Sequence, residues 1–580
     1  MEKKKIFSLA VAMCAVLTLS ACGGAAESTS QGGQSSAPSG ESQTSQEGSQ
    51  PAPSSQESSI NPEELDDMFK IEGLENDLEI DDGEVLFNDE VNITLWSVIN
   101  APDDVAMQSL VSQFNSSYAG EIHINMLQYS VDDYYNALDT AWNYTPDSIP
   151  DVTLMHCEKI VSYAYKDYLY PLNDIIEATG IDFDFDQIYD NVDRANLINY
   201  GGKEYRYSIP MDIHTFLFSI RQDMIKKNNL GFENNTRFYP TNRAEFQQLM
   251  QAARAKADAG ELYYRFVDKA NWNTMTRPHE WKLLPAASAK TQFYPAFMPI
   301  QDVTGLSGLY SNGGRLVNEA GDTIVVEDCD GFKDFLNDNI TYYNEGLIRF
   351  PTISEQRTNQ SMFGAGETLM FEQGPWWVGQ QYRFLYNNEE MTTSNYQGHD
   401  TGITPEDAAD PIYSSPMIAM NPAGWFSTTE NPDSGRVYGN GHSIGITKKV
   451  TSMTKAAAIL TFVKWLCQEK TSGAYNLTEH CLTGHLPAWK NVFEDEDYST
   501  KAATSLVLQA LGDPANMITM ENLKYEEVCV SAASKVMDAV YSNLMSDDES
   551  LKTYDVALDE LEAVCISVQQ ALDLKIENED

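Results

Sequence analysis

The stretch VNITLWSV (Val91–Val98) decides the fold class. Val91, Ile93 and Leu95 alternate with Asn92 and Thr94, the period-2 pattern of a strand with one buried face. Pro102 and Asp103 then open a helical stretch in which Met107, Leu110, Val111, Phe114 and Tyr118 share one stripe, and Gly120 ends it. Alternation returns through Ile122, Ile124 and Met126. A second helical stretch runs from Asp132 to Asn143, and Asp151 to Met155 is a short apolar strand. Strand, helix, strand, helix, strand predicts a parallel α/β layer. Such sheets hold ligands beyond the carboxyl ends of their strands. That rule puts Trp96, Ser97 and Asn100 on one rim with His156 and Glu158.

Upstream of this layer the chain is built for export. Lys3, Lys4 and Lys5 precede an apolar run, Ile6 to Leu17, which is shorter than the ~20 residues a bilayer-spanning helix needs. It has the length of a secretory leader, and Leu19-Ser20-Ala21-Cys22 matches a bacterial lipobox, in which the cysteine takes a diacylglyceryl group before cleavage. Residues 1–21 therefore read as a lipoprotein signal peptide. Residues 22–59 read as a lipidated Cys22 on a Ser/Gln/Gly linker, too poor in apolar groups to order. Residues 60–90 form an acidic, ragged lead-in. The formal charge of −48 becomes about −50 without the leader, which excludes nucleic acid as a partner. The remaining length is too great for a single core, so at least two domains follow. Six cysteines remain beyond Cys22: Cys157, Cys329, Cys467, Cys481, Cys529 and Cys565. They allow fifteen pairings, but the wide spacings are as compatible with buried free thiols.

Further along, a resemblance accumulates. Pro150-Asp151-Val152, a helix, and Tyr170-Pro171-Leu172 resemble the first lobe of extracellular solute-binding proteins of ABC importers, and most of all the carbohydrate-binding family that includes maltose-binding protein. Gly202 to Tyr205 with Ile209-Pro210 resembles that family's passage into its second lobe. Ser311 to Gly314, Gly321-Asp322 and YYNEGLI (Tyr342–Ile348) are similar to its second-lobe pattern. The nearest likeness is FGAGETLMFEQGPWW (Phe363–Trp377), similar to "F-x-x-G-E-x-x-M-x-x-x-G-P-W". Gly445-Ile446-Thr447 with a helix from Ala456 to Leu466, and Gly484 to Ala488, resemble the return strand and the last passage. The resemblance implies a two-lobe, periplasmic-binding-protein-like α/β fold hinged near Tyr207, Asn440 and Pro487. It assigns 91–207 with 440–486 to the first lobe and 208–439 with 487–580 to the second. It further implies a monomeric, non-enzymatic receptor, lipid-anchored on the extracellular face of the cell membrane. Its ligand would be a mono- or oligosaccharide and its partners ABC permease subunits.

The residues support a sugar site on their own terms. Gly374-Pro375 is a turn, and Trp376 and Trp377 follow it, so at most one ring faces inward if the chain there is extended. Stacking a pyranose face on an indole hides ~100 Å² of apolar area, worth about 2 kcal/mol. Asp212, Glu158 and Asn100 can bond the hydroxyl edge, and His442 can reach the ligand. Trp96 and Trp425 are weaker platforms. Trp142, Trp272, Trp281, Trp465 and Trp489 read as packing.

Other chemistry is thinly represented. Gly441-His442-Ser443-Ile444-Gly445 matches a nucleophile elbow, but the flanking residues read as turn and strand rather than strand and immediate helix. Asp182, Asp184, Asp186, Asp190 and Asp193 occupy positions of a calcium loop, with Gln187 where glycine is required. That leaves Ca²⁺ a weak candidate, and no other cofactor is expected. The histidines carry no zinc motif, and no P-loop exists. A surface glycoside hydrolase or lyase, or a sugar sensor or adhesion protein on the same fold, stands as the alternative. The leader makes one direct prediction. Cys22→Ala is expected to leave an exported protein that fractionates with the medium instead of the membrane; unchanged membrane retention would refute the lipid anchor.

Overall fold

The computed structural model describes residues 68–99, 103–265, 281–298, 302–350, 359–364, 366–376, 378, 417–427 and 436–578, all within one compact unit. Ten strands make two sheets. In chain order they are β1 (Val91–Ser97), β2 (Ile122–Gln128), β3 (Val152–His156), β4 (Ile209–Pro210), β5 (Leu217–Ile220), β6 (Ala296–Phe297), β7 (Ile348–Arg349), β8 (Met370–Gln373), β9 (Ile418–Met420) and β10 (His442–Ile446). The first sheet has the order β2-β1-β3-β10-β4 and the second β7-β6-β8-β5-β9. In each, three strands run parallel, and the next one (β10 or β5) is antiparallel to both its neighbours. The two lobes thus repeat one plan, and each sheet has a switch point at the carboxyl end of its central parallel strand.

The first core follows the apolar stripe anticipated above. Helix Asp104–Ser117 buries Met107, Leu110, Val111 and Phe114. The Phe114 ring meets Phe462 and Trp465 of helix Met453–Gln468 edge-on, at 5.0 and 5.4 Å. Burying a phenylalanine contributes on the order of 2 kcal/mol before such ring contacts add to it. Ser452 caps that second helix by accepting from Lys455 N–H. The lead-in differs from the ragged approach expected. Met68 and Phe69 are buried, Phe69 stacks on Tyr200 at 4.4 Å, and Asp77 accepts from Ser452 Oγ and Thr454 N–H at the same helix terminus. A short strap of acidic sequence is held because its two apolar residues and one capping carboxylate find partners.

The second lobe's core holds Phe218, Phe246, Leu336, Val540 and Tyr541. The last passage between lobes falls later than Pro487. Trp489 Nε1–H donates to Pro210 O at 2.9 Å, and Phe493 meets Tyr189, so both still pack on the first lobe. Helix Leu506–Leu511 packs on β9 of the second sheet. The chain therefore crosses between Phe493 and Leu506. All six cysteines are buried and unpaired by disulfides.

The five aspartates of the calcium reading do not gather. Asp182, Asp184, Asp186 and Asp190 are exposed. Asp193 is engaged by both terminal nitrogens of Arg206 at 2.6 and 2.8 Å. The segment forms a 3-10 turn, Phe185–Gln187, and a short helix, Asp190–Asp193, in place of a coordinating loop.

One buried acid makes stability pH-dependent. Glu372 on β8 is 2 % exposed; Thr304 Oγ1 donates to its Oε2 at 2.9 Å, while its Oε1 is buried without a hydrogen-bond partner. Burial pushes the carboxyl from 4.5 up to about 7, with Thr304 opposing the rise. The folded protein then binds more protons than the unfolded chain between those values, so stability falls as pH rises through that window, by at most about 3 kcal/mol. Glu372→Gln is expected to raise the denaturation midpoint at pH 8 and flatten the profile between pH 4.5 and 7. An unaltered profile would show that Glu372 does not set it.

Candidate functional site

Three chain segments meet between the two sheets. Residues 211–215 leave β4, residues 438–441 lead into β10, and residues 485–488 follow the helix Leu477–Cys481. Backbone hydrogen bonds zip them together. Met211 N–H donates to His442 O at 2.8 Å, His214 and Asn440 exchange both bonds at 2.7 and 2.9 Å, and Ala488 N–H donates to Met211 O at 2.9 Å. The fit is tight at Gly441, where a Cβ would lie 1.9 Å from Asp212 O. Only a residue without a side chain admits that approach.

Asp212 lies at the centre of this junction and is fully buried. His480 Nε2 is 2.6 Å from its Oδ2, and His442 Nδ1 is 2.9 Å from the same oxygen. His442 N–H donates to Oδ1 at 3.2 Å, and His214 Nδ1 stands 3.8 Å away. Burial by itself would raise the Asp212 carboxyl. Attraction to His442 and His485, with the hydrogen bond from His442 and the nearby His214 side chain, outweighs it and holds the group well below the usual carboxylate range. Burial pushes His485 well down, and His214 down as well. An ionised carboxylate thus sits among imidazoles donated by all three segments. The carboxylate expected to bond a sugar edge is instead committed to the junction, and His442, expected near the ligand, is its partner.

Around this centre the two rims converge. His156 at the carboxyl end of β3 lies with its ring 5.2 Å from that of His442; its Nδ1 is 2.8 Å from Tyr135 Oη. Glu158 follows, its Oε2 buried without a hydrogen-bond partner. Burial raises its carboxyl to about 7, with Lys159 partly offsetting the rise. From the second lobe comes Trp376, just past the carboxyl end of β8 and partly exposed. Its ring meets His214 edge-on at 5.4 Å and lies nearly parallel to His485 at 6.3 Å.

Two expected platforms are elsewhere. Trp425 is 4 % exposed and packed against Phe218, Phe246 and Tyr342 in the second core, because its short helix Ala423–Phe426 turns the ring inward. Trp96 is 7 % exposed and leans on Tyr129 within an aromatic cluster. Trp377 and Asn100 lie outside the described residues. The elbow motif is a strand: Ser443 is fully buried in β10, its hydroxyl donating to Asn196 Oδ1 at 2.6 Å and 3.1 Å from Cys157 Sγ. Neighbours on a strand face opposite ways, so Ser443 and His442 cannot work together.

A family model for bacterial extracellular solute-binding proteins matches residues 109–505. No curated protein sequence matches the chain significantly. Among solved structures, the sugar-binding protein MalE of Xanthomonas citri is similar over 84% of this chain and all of its own, at 17% identity and a TM-score of 0.56. The GacH receptor of Streptomyces glaucescens, solved unliganded and with acarbose, covers 83% of this chain and 99% of its own at 14% identity and TM-score 0.55. A Thermotoga lettingae solute-binding protein with bound tagatose is similar at 14% identity and TM-score 0.54, over 83% of this chain and 99% of its own. These likenesses establish the two-lobe fold.

The junction's tightness is directly testable. Gly441→Ala is expected to cost about 3 kcal/mol or more in denaturant unfolding, since backbone must move to admit the methyl group. Gly445→Ala meets only Leu169 and Thr153 side chains, at 3.2 Å or more, and is expected to cost far less. Equal costs would refute the close approach.

Proposed function

The chain belongs to the family of bacterial extracellular solute-binding proteins, and on that premise we propose that it is the sugar receptor of an ABC importer, held at the outer face of the cell membrane by lipid on Cys22. The observation that carries the reading is the placement of Trp376. A large ring stands partly exposed at the carboxyl-end rim of one sheet, beside the junction to which the other sheet delivers His156 and Glu158. A pyranose stacked on that ring presents its hydroxyl edge to polar groups of the opposite lobe. Ligand touches both lobes only when they close, so binding favours the closed form by the difference in affinity between the two states. That closed form is what the permease subunits receive.

The chemistry favours capture over turnover. Asp212 is engaged by histidines on both oxygens, Ser443 is sealed inside a strand, and beside Glu158 the other raised carboxyl, Glu526, is held in an ion pair with Lys159 at 2.6 Å. A hydrolase of the glycosidase kind needs two carboxyls facing one bond. Solved relatives hold acarbose, maltose and maltotriose, which makes malto-oligosaccharides the first ligands to screen.

Calorimetry against a panel of defined oligosaccharides is expected to find one-to-one binding with no product formed, and appearance of cleaved sugar would overturn the receptor reading. Trp376→Ala is expected to weaken that binding by about thirtyfold, equivalent to ~2 kcal/mol of lost ring contact. Its melting temperature should hold, because the ring is not part of either core. Undiminished affinity in a folded Trp376→Ala protein would place the sugar elsewhere.

A further inference from the structure

We propose that the junction of the three segments is a transition-metal site, in which Asp212, His214, His442 and His485 hold one Zn²⁺-class ion. One ligand atom from each of the four lies within 4.8 Å of the others, and all four residues are buried. Among the described residues no other group of three or more histidine, cysteine or acidic side chains gathers in this way. Three imidazoles and one carboxylate form a donor set suited to zinc and its neighbours, and unsuited to calcium or magnesium, which take oxygen.

Two further features favour an ion over a simple hydrogen-bonded cluster. His214 Nδ1 is buried without a hydrogen-bond partner although it faces the Asp212 carboxylate at 3.8 Å. A buried imidazole nitrogen that makes no hydrogen bond is costly, and an ion held between it and the carboxylate would satisfy both. The outer partners are also in place. His480 Nε2 engages Asp212 Oδ2, and Thr483 Oγ1 lies 3.2 Å from His485 Nδ1. Groups of this kind orient metal ligands and fix their tautomers. Four donors about a zinc ion with bonds of ~2.0–2.1 Å stand roughly 3.4 Å apart, so the cluster, now spread over up to 4.8 Å, would draw in by roughly 1.4 Å at its widest on loading. Loading would turn the His214 and His485 side chains toward the centre.

The ion would join side chains from each of the segments that cross between the lobes. It would therefore act as a rivet in the hinge, lying beneath Trp376 rather than in the cleft as cargo. Its presence does not depend on which solute the cleft takes.

The test uses the full chain, stripped with a chelator and then offered Zn²⁺ or Co²⁺ alone, with excess Mg²⁺ present to occupy the acidic surface. One equivalent of Zn²⁺ is expected to survive gel filtration, with a melting temperature that rises with metal concentration. Co²⁺ is expected to give the intense visible bands of a four-coordinate nitrogen and oxygen site. His214→Ala and His485→Ala should each weaken retention at least about tenfold, while His123→Ala, outside the cluster, should leave it unchanged. Retention of less than a tenth of an equivalent would overturn the proposal. So would a pale, six-coordinate cobalt spectrum, or full retention by the folded His214→Ala/His485→Ala protein. If those variants fail to fold, the cobalt spectrum of the unaltered chain decides alone. Sugar binding is measured separately, so its failure would leave this result standing.

Discussion

A single buried carboxylate governs how the halves of this molecule are joined. Asp212 sits where three passages of the chain lie side by side, and each contributes an imidazole around it: His214 from its own segment, His442 from the second, His480 and His485 from the third. A charge removed from water is tolerated only where partners replace the lost solvation. The need to satisfy Asp212 therefore fixes the register of the three segments against one another. The backbone bonds along them and the missing side chain at Gly441 allow the close approach. Rotation of the lobes about this bundle remains open, whereas sliding would strip the carboxylate of its neighbours.

The two sheets repeat one strand plan on either side of that bundle, which has a functional consequence. Each sheet presents the carboxyl ends of its parallel strands toward the junction, so under the proposed function a ligand would be met by residues of two bodies. His156 and Glu158 stand on one, Trp376 on the other. Fold alone does not specify a solute. In a receptor of this plan, recognition and movement would use the same few residues.

Much of this was legible in the sequence. The alternation in Val91–Val98, the stripe from Met107 to Phe114 and the apolar strand at Val152 appear as β1, a helix and β3 because period and burial agree there. The tryptophans were harder to assign. Trp425 and Trp96 read as weaker platforms than Trp376, and the turn of a four-residue helix and the company of Tyr129 bury them. The resemblance puts the last passage near Pro487, but the chain remains on the first lobe through Phe493, because a hinge residue and the end of a lobe are different things. The histidine cluster was not visible at all. Its members are separated by up to 273 positions, from Asp212 to His485, and no local spacing brings them together. One signal existed: three of the eight histidines in the chain fall at or next to the passages themselves.

The six buried thiols divide evenly, with Cys157, Cys467 and Cys481 in the first lobe and Cys329, Cys529 and Cys565 in the second. Burial raises the pKa of all six thiols, so none is a nucleophile while its surroundings stay closed. Sulfur alkylation in the native protein thus becomes a clock for transient opening, and mapping the alkylated positions assigns each opening to one lobe. Without any engineered label, the chain carries separate reporters for the breathing of its two halves.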